Sequence, residues 1–310
     1  MITTVSTAKM SHAEWLKHRK KAIGGSDAPT IVGLNHYSSP YELWAEKLGR
    51  IPPKEENEAM RLGHDLEDYV AKRFCEKKGK KVRRKKAMIY NSHYPFAHAN
   101  VDRLVVGEDA GLECKTTSAL NMKKFKNGEY PANYYVQCQH YMMVTGLKKW
   151  YLAVLVLGKE FLVFEIERNE DDIEALAQAE SYFWDLVKSK TPPAVDGSNA
   201  TTEALGTIYK ESAESNIIVD LTPLKTALLI RNNAKAQISE LEKLVAEKEN
   251  EIKSYMGENP SGECDGFVVS WKTQDRTIFD KKAFAKSRPD IRLDAFMKTS
   301  TSRPFKVSKI

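Results

Sequence analysis

The chain has 310 residues, a net charge of +6 and four cysteines without C-x-x-C spacing, which argues against a zinc site or a disulfide framework. The modest positive charge permits a polyanionic partner, and 42% hydrophobic and 29% charged residues suit a soluble globular protein. Because no apolar run reaches the ~18 residues that span a bilayer, and the N-terminus lacks a signal-peptide core, we expect a cytoplasmic protein without a membrane partner.

The predicted elements alternate between helix and strand periodicity. Residues 11–50 are typical of short helices with a break at IGGSD, and apolar side chains at helical spacing predict one helix over 58–77. The predicted strands and helices that follow are 87–91, 97–106 and 111–117, helix 131–146, strands 150–157 and 160–167, and helix 170–189. This order indicates an α/β domain over 1–197 with a mixed central sheet flanked by helices.

The composition changes after this domain. Small polar residues predict a linker over 198–220. Residues 221–257 follow a heptad that is broken by Arg231 and Lys248, which predicts a long helix or a helical hairpin. Such a helix either packs on the rest of the chain or presents a face to another chain. Residues 258–310 predict a small β-rich extension, with FVVSW and PFKVS as strands and a short helix between them.

Charged side chains interrupt two of the predicted strands, in the stretch AHANVDRLVVGEDAGLECKTT. Residues two apart on a strand share a face, so Glu113 and Lys115 point the same way. With a tight turn between the strands, Asp102 lies opposite Lys115 and diagonal to Glu113, ~7 Å away or less. Two carboxylates this close repel unless a cation lies between them, and Mg²⁺ is the natural candidate because it prefers carboxylate oxygens.

The helix predicted over 58–77 adds a third acid. Glu67 lies at the edge of its apolar stripe, and a glutamate rarely faces a core without a partner. Glu67 is therefore either a rim residue that reaches solvent or a third ligand of the same metal. In the second case the set predicts a phosphodiesterase whose metal generates a hydroxide, while Lys115 orients the water or offsets charge at phosphorus.

These residues resemble the PD-(D/E)xK nucleases, with Asn100-Val101-Asp102 standing where the family motif has Pro-Asp. The segments WLKHRKKAIGGSDAPTIVG, SSPYELWAEKLG, RLGHDLEDYVAKRF and YVQCQHYMMVTG also resemble the YqaJ-like viral recombinase nucleases, the lambda exonuclease family, over about residues 12–195. The resemblance implies a restriction-endonuclease-like core, and the helical and small β-rich extension resembles that of some phage members.

The resemblance also implies a function. It is that of a Mg²⁺-dependent 5′→3′ exonuclease, with Mn²⁺ as a substitute, that digests double-stranded DNA ends. The 3′ overhangs would serve a single-strand annealing protein in phage-type recombination in the bacterial cytoplasm, and the nuclease would form a ring of three copies. The implied site consists of Glu67, Asp102 and Glu113 as metal ligands, Lys115 as the catalytic amine and Gln137 as the residue that places the water or substrate. Gln139 lies about 200° around the same helix, so only one of the two glutamines should face the site.

The IGGSDAP segment has a second candidate role. Its two glycines allow a tight turn, and Ser26 or Asp27 can cap a following helix whose free N–H groups attract a phosphate. Arg19 and Ser26 are then candidates to hold a terminal 5′ phosphate, as in the family it resembles. The alternative is a plain capped turn with a surface arginine. Trp15 either stacks on a terminal base or is buried as an anchor of the first helix.

Two other functions fit the same residues. An endonuclease of the same fold would use the same acids and lysine, and a non-catalytic DNA-binding recombination scaffold would need only the basic surface. The run KKGKKVRRKK, residues 77–86, is either a solvated face or a track for the DNA backbone, and we favour DNA contact for part of it. The leading hypothesis is the exonuclease.

Overall fold

The computed structural model describes residues 1–213, 217–288, 290–291, 296–298 and 303–307. The chain divides into two units, Met1–Glu211 and Ser212–Ile310. Among the helices of the described residues, none has the length and apolar character that crossing a membrane requires.

The first unit alternates helices and strands. In chain order its elements are strand β1 (Ile2–Ser6), helices α1 (His12–Arg19), α2 (Ala28–Ile31), α3 (Pro40–Lys47) and α4 (Glu58–Lys78), strands β2 (Val82–Arg83), β3 (Ala87–Asn91), β4 (His98–Ala99), β5 (Arg103–Val105) and β6 (Ala110–Thr117), a 3-10 segment (Ala119–Gly128), helix α5 (Ala132–Thr145), strands β7 (Lys149–Val156) and β8 (Glu160–Glu167), and helices α6 (Glu170–Ser189) and α7 (Asn199–Ile208).

A mixed sheet in the order β2-β5-β6-β7-β8 forms the centre of this unit. β6 and β7 pair in parallel over their whole lengths, whereas the other neighbours are antiparallel. Parallel neighbours need a crossover of a dozen or more residues, and α5 lies in that connection. The predicted mixed sheet flanked by helices is confirmed.

Helices α4 and α5 cover opposite faces of the sheet. Side chains alternate along a strand, and Leu112 of β6 packs with Phe74 of α4. On the other face, Leu152 of β7 packs with Met142 of α5. Glu113, which follows Leu112, therefore points to the α5 face, where the candidate site lies.

A smaller sheet in the order β1-β3-β4 lies in the same unit. Strand β1 was not predicted, and the predicted single strand over 97–106 is wrong because it divides between two sheets. β4 pairs with β3, whereas β5 pairs with β6. The chain crosses from one sheet to the other at residues 100–102, which frees Asp102 from regular strand pairing.

The predicted linker over 198–220 is wrong in its first half, because α7 forms there. Ser198 caps this helix by accepting a hydrogen bond from the backbone N–H of Thr201 at 3.1 Å. The Thr201 hydroxyl donates to Ser39 at 2.8 Å, and Ala204 is buried in a cluster with Trp44. The first unit therefore continues beyond the predicted boundary at residue 197. Residues 214–216, in the predicted linker, lie outside the described residues.

The second unit contains a 3-10 turn (Thr222–Leu224), helix α8 (Lys225–Met256), strands β9 (Ser261–Cys264) and β10 (Phe267–Ser270), and helix α9 (Lys281–Ser287). Because α8 is uninterrupted, the hairpin alternative for 221–257 is wrong. The β9–β10 hairpin pairs Phe267 with Cys264. Residues 304–307 of the predicted PFKVS strand have no regular structure, and residue 308 lies outside the described residues.

Candidate active site

The register of β5 and β6 sets the position of Asp102. Leu104 pairs with Gly111, whereas the predicted register, with Asp102 opposite Lys115, would place Leu104 opposite Glu113. The turn is therefore centred one residue earlier than predicted, and the extended register puts Asp102 opposite Glu113 rather than Lys115. Asp102 lies on the bend before β5, and its Oδ2 accepts a hydrogen bond from the backbone N–H of Cys114 at 2.8 Å.

The carboxylate of Glu113 is the centre of the site. It is only 3% exposed, and its Oε1 accepts from Lys115 Nζ and from Gln137 Nε2, each at 2.7 Å. Its Oε2 is buried and has no hydrogen-bond partner among the described residues. One carboxylate oxygen is therefore satisfied, and the other is available to a positive charge that the described side chains do not supply.

The pKa shifts of Asp102 and Lys115 agree with an excess of negative charge around Glu113. Burial, then the charges of Glu113 and Glu67, raise the pKa of Asp102 well above its usual range. Burial opposes the charged form of Lys115, but the charge and hydrogen bond of Glu113 raise the pKa of the amine overall. A divalent cation between Asp102 and Glu113 would remove the repulsion between them. Two interacting carboxylates, of which Glu113 is buried and has an unsatisfied oxygen, therefore fit Mg²⁺.

Glu67 is placed differently from the prediction. It lies on α4, which packs on the other face of the sheet, and its Oε1 accepts a hydrogen bond from Arg103 Nη1. Arg103 Nη2 also binds Asp68 Oδ1 at 2.6 Å. Across the described parts of the chain, no three His, Cys, Asp or Glu side chains already converge as a metal-binding group. Glu67 thus neutralises Arg103, and the expectation of three convergent acids is not met.

Arg19 and Ser26 lie together at the N-terminal turn. Arg19 Nη2 donates to Ser26 Oγ at 2.8 Å and to Asp27 Oδ1 at 3.3 Å, and the Ser26 side chain is exposed. This pair presents a guanidinium and a hydroxyl at one point of the surface. Such a pair matches the donors that a phosphate requires.

The expected helix-start phosphate site is wrong. Helix α2 has four residues, and the backbone N–H groups of Asp27 and Ala28 both donate to Gly24 O, at 2.9 and 3.3 Å. They are therefore not free for an anion. The carboxylate of Asp27 does not cap α2 either, because its Oδ2 accepts from the N–H of Gly24 at 2.9 Å within the turn.

Lys47 holds this turn through three hydrogen bonds, and this role was not predicted from the sequence. Its side chain is 3% exposed, and its ammonium donates to Asp27 Oδ2 at 2.6 Å, Ala22 O at 2.8 Å and Arg19 O at 3.0 Å. All three ammonium hydrogens thus have acceptors. Although burial raises the pKa of Asp27, the charges of Lys47 and Arg19 hold it well below its usual range.

Tyr141 of α5 links the turn to Glu113. Its hydroxyl accepts from Gln137 Nε2 at 2.8 Å, and the same amide group donates to Glu113. On its other side the Tyr141 ring lies against Gly25, where an added Cβ would be 2.4 Å from Cε1. Gln137 therefore lies at the site, whereas Gln139 bonds the backbone of Glu167 and Asn169.

Comparison with known proteins places the chain in a family. Residues 14–148 match the family described as YqaJ-like viral recombinase domain. The chain is also 44% identical over 293 residues to protein YqaJ of Bacillus subtilis (strain 168), and the match covers 92% of this chain and 90% of that protein. The chain belongs to the YqaJ-like viral recombinase family. The resemblance of its N-terminal motifs to this family is confirmed.

Solved structures share the fold of this YqaJ-like chain. An alkaline exonuclease, LHK-Exo, from Laribacter hongkongensis matches with a TM-score of 0.50 and 21% identity, over 57% of this chain and 93% of that chain. Its complex with dAMP matches with the same TM-score, identity and coverage. The comparison shows that the two chains share a fold and confirms the predicted fold class.

The remaining candidate of the YqaJ-like chain, Trp15, lies at the surface of helix α1. Trp15 is half-buried, with its ring stacked on His12 at a centroid distance of 5.7 Å, and the Arg19 guanidinium lies 5.4 Å from its centroid. Trp15 is thus neither fully buried nor without ring contacts.

Two residues near the site, Arg103 and Tyr134, were not predicted from the sequence. The ring centroid of Tyr134 lies 5.4 Å from Lys115 Nζ. The one available signal was that Arg103 directly follows Asp102.

The basic run at 77–86 divides into bound and unbound side chains. Lys77 donates to Phe161 O, and ion pairs hold the next members: Lys78 with Glu165, Lys80 with Glu108, and Arg84 with Asp68. For the side chains of Lys81, Arg83, Lys85 and Lys86, the described residues provide no hydrogen bond or ion pair. About half of the run is therefore used within the fold and is a poor candidate for DNA contact.

Gly25→Ala is expected to destabilise the first unit and to disturb Gln137. The new Cβ would meet the Tyr141 ring at 2.4 Å, so the ring or the backbone must move, at a cost of about 1–3 kcal/mol. Urea unfolding and the DNA cleavage rate measure both effects. Gly197→Ala is the matched control, because nothing lies within 4 Å of its Cβ position. Equal stability of the two variants would contradict the tight packing at Gly25.

Proposed function

We propose that this chain is a metal-dependent exonuclease that acts on double-stranded DNA ends. The observation that carries the proposal is the half-satisfied carboxylate of Glu113 beside Asp102, whose pKa is raised. Mg²⁺ is commonly bound through one or two carboxylates together with water and substrate phosphates, so Asp102 and Glu113 suffice as protein ligands. Mn²⁺ accepts the same oxygen ligands. Glu67 would join them only if it left Arg103.

The residues of the site have separable tasks in this proposal. When bound, the metal would polarise the phosphate and supply a hydroxide nucleophile. Lys115, whose ammonium lies 2.7 Å from Glu113 Oε1, would orient the attacking water or stabilise negative charge on the phosphate. Gln137 would fix Glu113 in place by its hydrogen bond to Oε1.

The relatives favour an exonuclease over the other candidates. LHK-Exo is described as an alkaline exonuclease and has been seen with dAMP, a deoxynucleotide. The family is described as a viral recombinase. We therefore propose that digestion runs 5′→3′ from ends held at Arg19 and Ser26, and that a single-strand annealing protein uses the 3′ overhangs. A ring of three copies around DNA would make digestion processive.

Linear and closed circular duplex DNA distinguish the three functions. With Mg²⁺ or Mn²⁺, we expect linear DNA labelled at one 5′ end to lose its label first, circular DNA to stay intact, and EDTA to stop the reaction. Cleavage of closed circles would favour the endonuclease. Binding without cleavage in either metal would favour the scaffold. Early loss of a 3′ label would contradict the proposed polarity.

Arg19→Ala is expected to lower kcat/KM on 5′-phosphorylated ends by about 10- to 100-fold, because a charge-assisted hydrogen bond contributes about 1.5–3 kcal/mol. Ends with a 5′ hydroxyl should be digested at nearly the rate of the unaltered protein. The measurement compares both ends with both proteins, and Lys20→Ala is the control for the loss of one positive charge on the neighbouring residue. An equal loss on both kinds of end would contradict phosphate recognition by Arg19.

A further inference from the structure

An open cavity of 530 Å³ lies beside helix α1 and carries mostly positive charge. Its basic lining consists of three lysines, Lys9, Lys17 and Lys21, and the imidazole of His18. The one carboxylate in the lining belongs to Glu14, which accepts from the backbone N–H of Ser11 at 2.9 Å and from its hydroxyl at 2.7 Å. Glu14 thus caps helix α1, and its single negative charge offsets only part of the positive charge of the three lysines.

The three lysines of the cavity are free to bind a ligand. Within the described ranges, their ammonium groups make no hydrogen bond or ion pair, and all three residues are exposed. Met10 and Ala8 add apolar atoms to the lining. Lysine ammonium groups act as flexible point charges, which suits phosphate oxygens. The chemistry of the cavity therefore fits a phosphate-bearing ligand.

The N-terminal strand brings a second basic segment to the same place. β1 pairs with β3 so that Ser6, which lines the cavity, lies opposite Ala87. Thr7 N–H then donates to Lys86 O at 2.9 Å. The end of the basic run at 77–86, including Lys86, is therefore beside the cavity. This is the part of the run that internal ion pairs leave unused.

Helix α1 connects the cavity to the Arg19–Ser26 pair. Successive residues on a helix are about 100° apart, so His18 lies on the face next to Arg19. His18 lines the cavity, so a polyanion long enough to run along α1 from Arg19 would reach it.

We infer that this cavity, with Lys86, binds backbone phosphates of the DNA whose 5′ end meets Arg19 and Ser26, an assignment that rests on the proposed function. Each phosphate neutralised by a lysine releases condensed counterions, so the contact contributes affinity that falls with salt. The cavity would hold the DNA near its end and leave the chemistry to Glu113 and Lys115. An acidic protein segment is the competing ligand.

The test compares the salt dependence of DNA binding in EDTA, where no cleavage occurs. The triple variant Lys9→Gln, Lys17→Gln and Lys21→Gln is measured against the unaltered chain with a 5′-phosphorylated duplex. Three lost contacts should reduce the slope of log K against log salt by about 2.7, so a fourfold rise in salt would cost the unaltered chain about 40-fold more affinity than the variant. The matched control replaces Lys148, Lys159 and Lys210, which are exposed and do not line the cavity.

The outcomes of this test distinguish the assignment of the cavity from the proposed function. A reduced slope in the cavity variant alone supports the assignment. An unchanged slope, or the same reduction in the control, overturns it while the proposed function stands, and this is also the result expected if the cavity binds an acidic protein segment. Failure of the unaltered chain to bind duplex DNA overturns both proposals. Equal thermal unfolding midpoints for the three proteins would show that none of these differences comes from misfolding.

Discussion

Replacing Glu113 by glutamine is expected to reduce the rate of DNA cleavage by about 1000-fold or more, a loss of about 4 kcal/mol of transition-state stabilisation. Glutamine has a neutral side-chain amide, so it cannot hold a cation at the buried position that Oε2 now occupies. The new amide also faces two hydrogen-bond donors, the amide of Gln137 and the ammonium of Lys115. Single-turnover cleavage of a linear duplex measures the effect, and duplex binding should change by less than about threefold, since phosphate contacts elsewhere supply most of the affinity.

A second readout separates metal binding from chemistry in the same variant. Mg²⁺ that binds only the folded protein raises its melting temperature, and the rise grows with concentration. The unaltered chain should show this rise and Glu113→Gln should not. Glu160→Gln, on the exposed start of β8, is the control with the same change of charge. Cleavage by Glu113→Gln within about tenfold of the unaltered rate would refute the central role of this carboxylate.

Replacing Lys47 by methionine is expected to lower the free energy of unfolding by about 3–5 kcal/mol, because it leaves the carboxylate of Asp27 buried with a single, longer ion pair to Arg19. The loss should depend on pH. Because the pKa of Asp27 is depressed in the folded state, the pair stabilises the protein fully above the unfolded pKa of about 3.9, and this contribution is lost progressively as the pH falls from there through the depressed folded pKa. The difference in free energy of unfolding between the two proteins, measured by urea unfolding, should therefore be smaller at about pH 3 than at about pH 7, without vanishing at about pH 3.

A double-mutant cycle tests whether Lys47 acts through Asp27. Lys47→Met, Asp27→Asn and the double variant should give an interaction energy of about 1–3 kcal/mol, since the two groups touch. Lys188→Met provides a comparison in which an exposed ion pair, with Asp185, is removed for less than about 1 kcal/mol. Additive losses would mean that Lys47 serves only the carbonyls of Arg19 and Ala22.

The core of the fold was predictable where periodicity is strong. The helix predicted over 58–77 is found at Glu58–Lys78, and the strand predicted over 111–117 at Ala110–Thr117. These elements have one apolar face each, so their pattern is clear. The shared face of Glu113 and Lys115 followed from the alternation of side chains along one strand, and the structure shows the two groups in contact at 2.7 Å.

The remaining features depend on interactions between distant segments. The register that puts Asp102 opposite Glu113 is set by the turn before β6, where a shift of one residue in its centre moves the pairing by two. The partner of Glu67 could not be read from α4, because Arg103 reaches it from another strand. Lys47 was missed because a charged residue on a short helix is usually exposed, and its three acceptors lie earlier in the chain.

The hydrogen bonds of Tyr141 and Gln137 have a mechanical consequence. The turn that contains Ser26, the hydrogen-bond partner of Arg19, rests on Tyr141 through Gly25, and Glu113 is held by Gln137, one turn earlier on the same helix as Tyr141. A terminal phosphate and a scissile bond bound at these two places would be held at a fixed distance, because both supports lie on helix α5. A nuclease with this fixed distance should release fragments of uniform length. A substitution that makes this part of α5 mobile should broaden the distribution of fragment lengths.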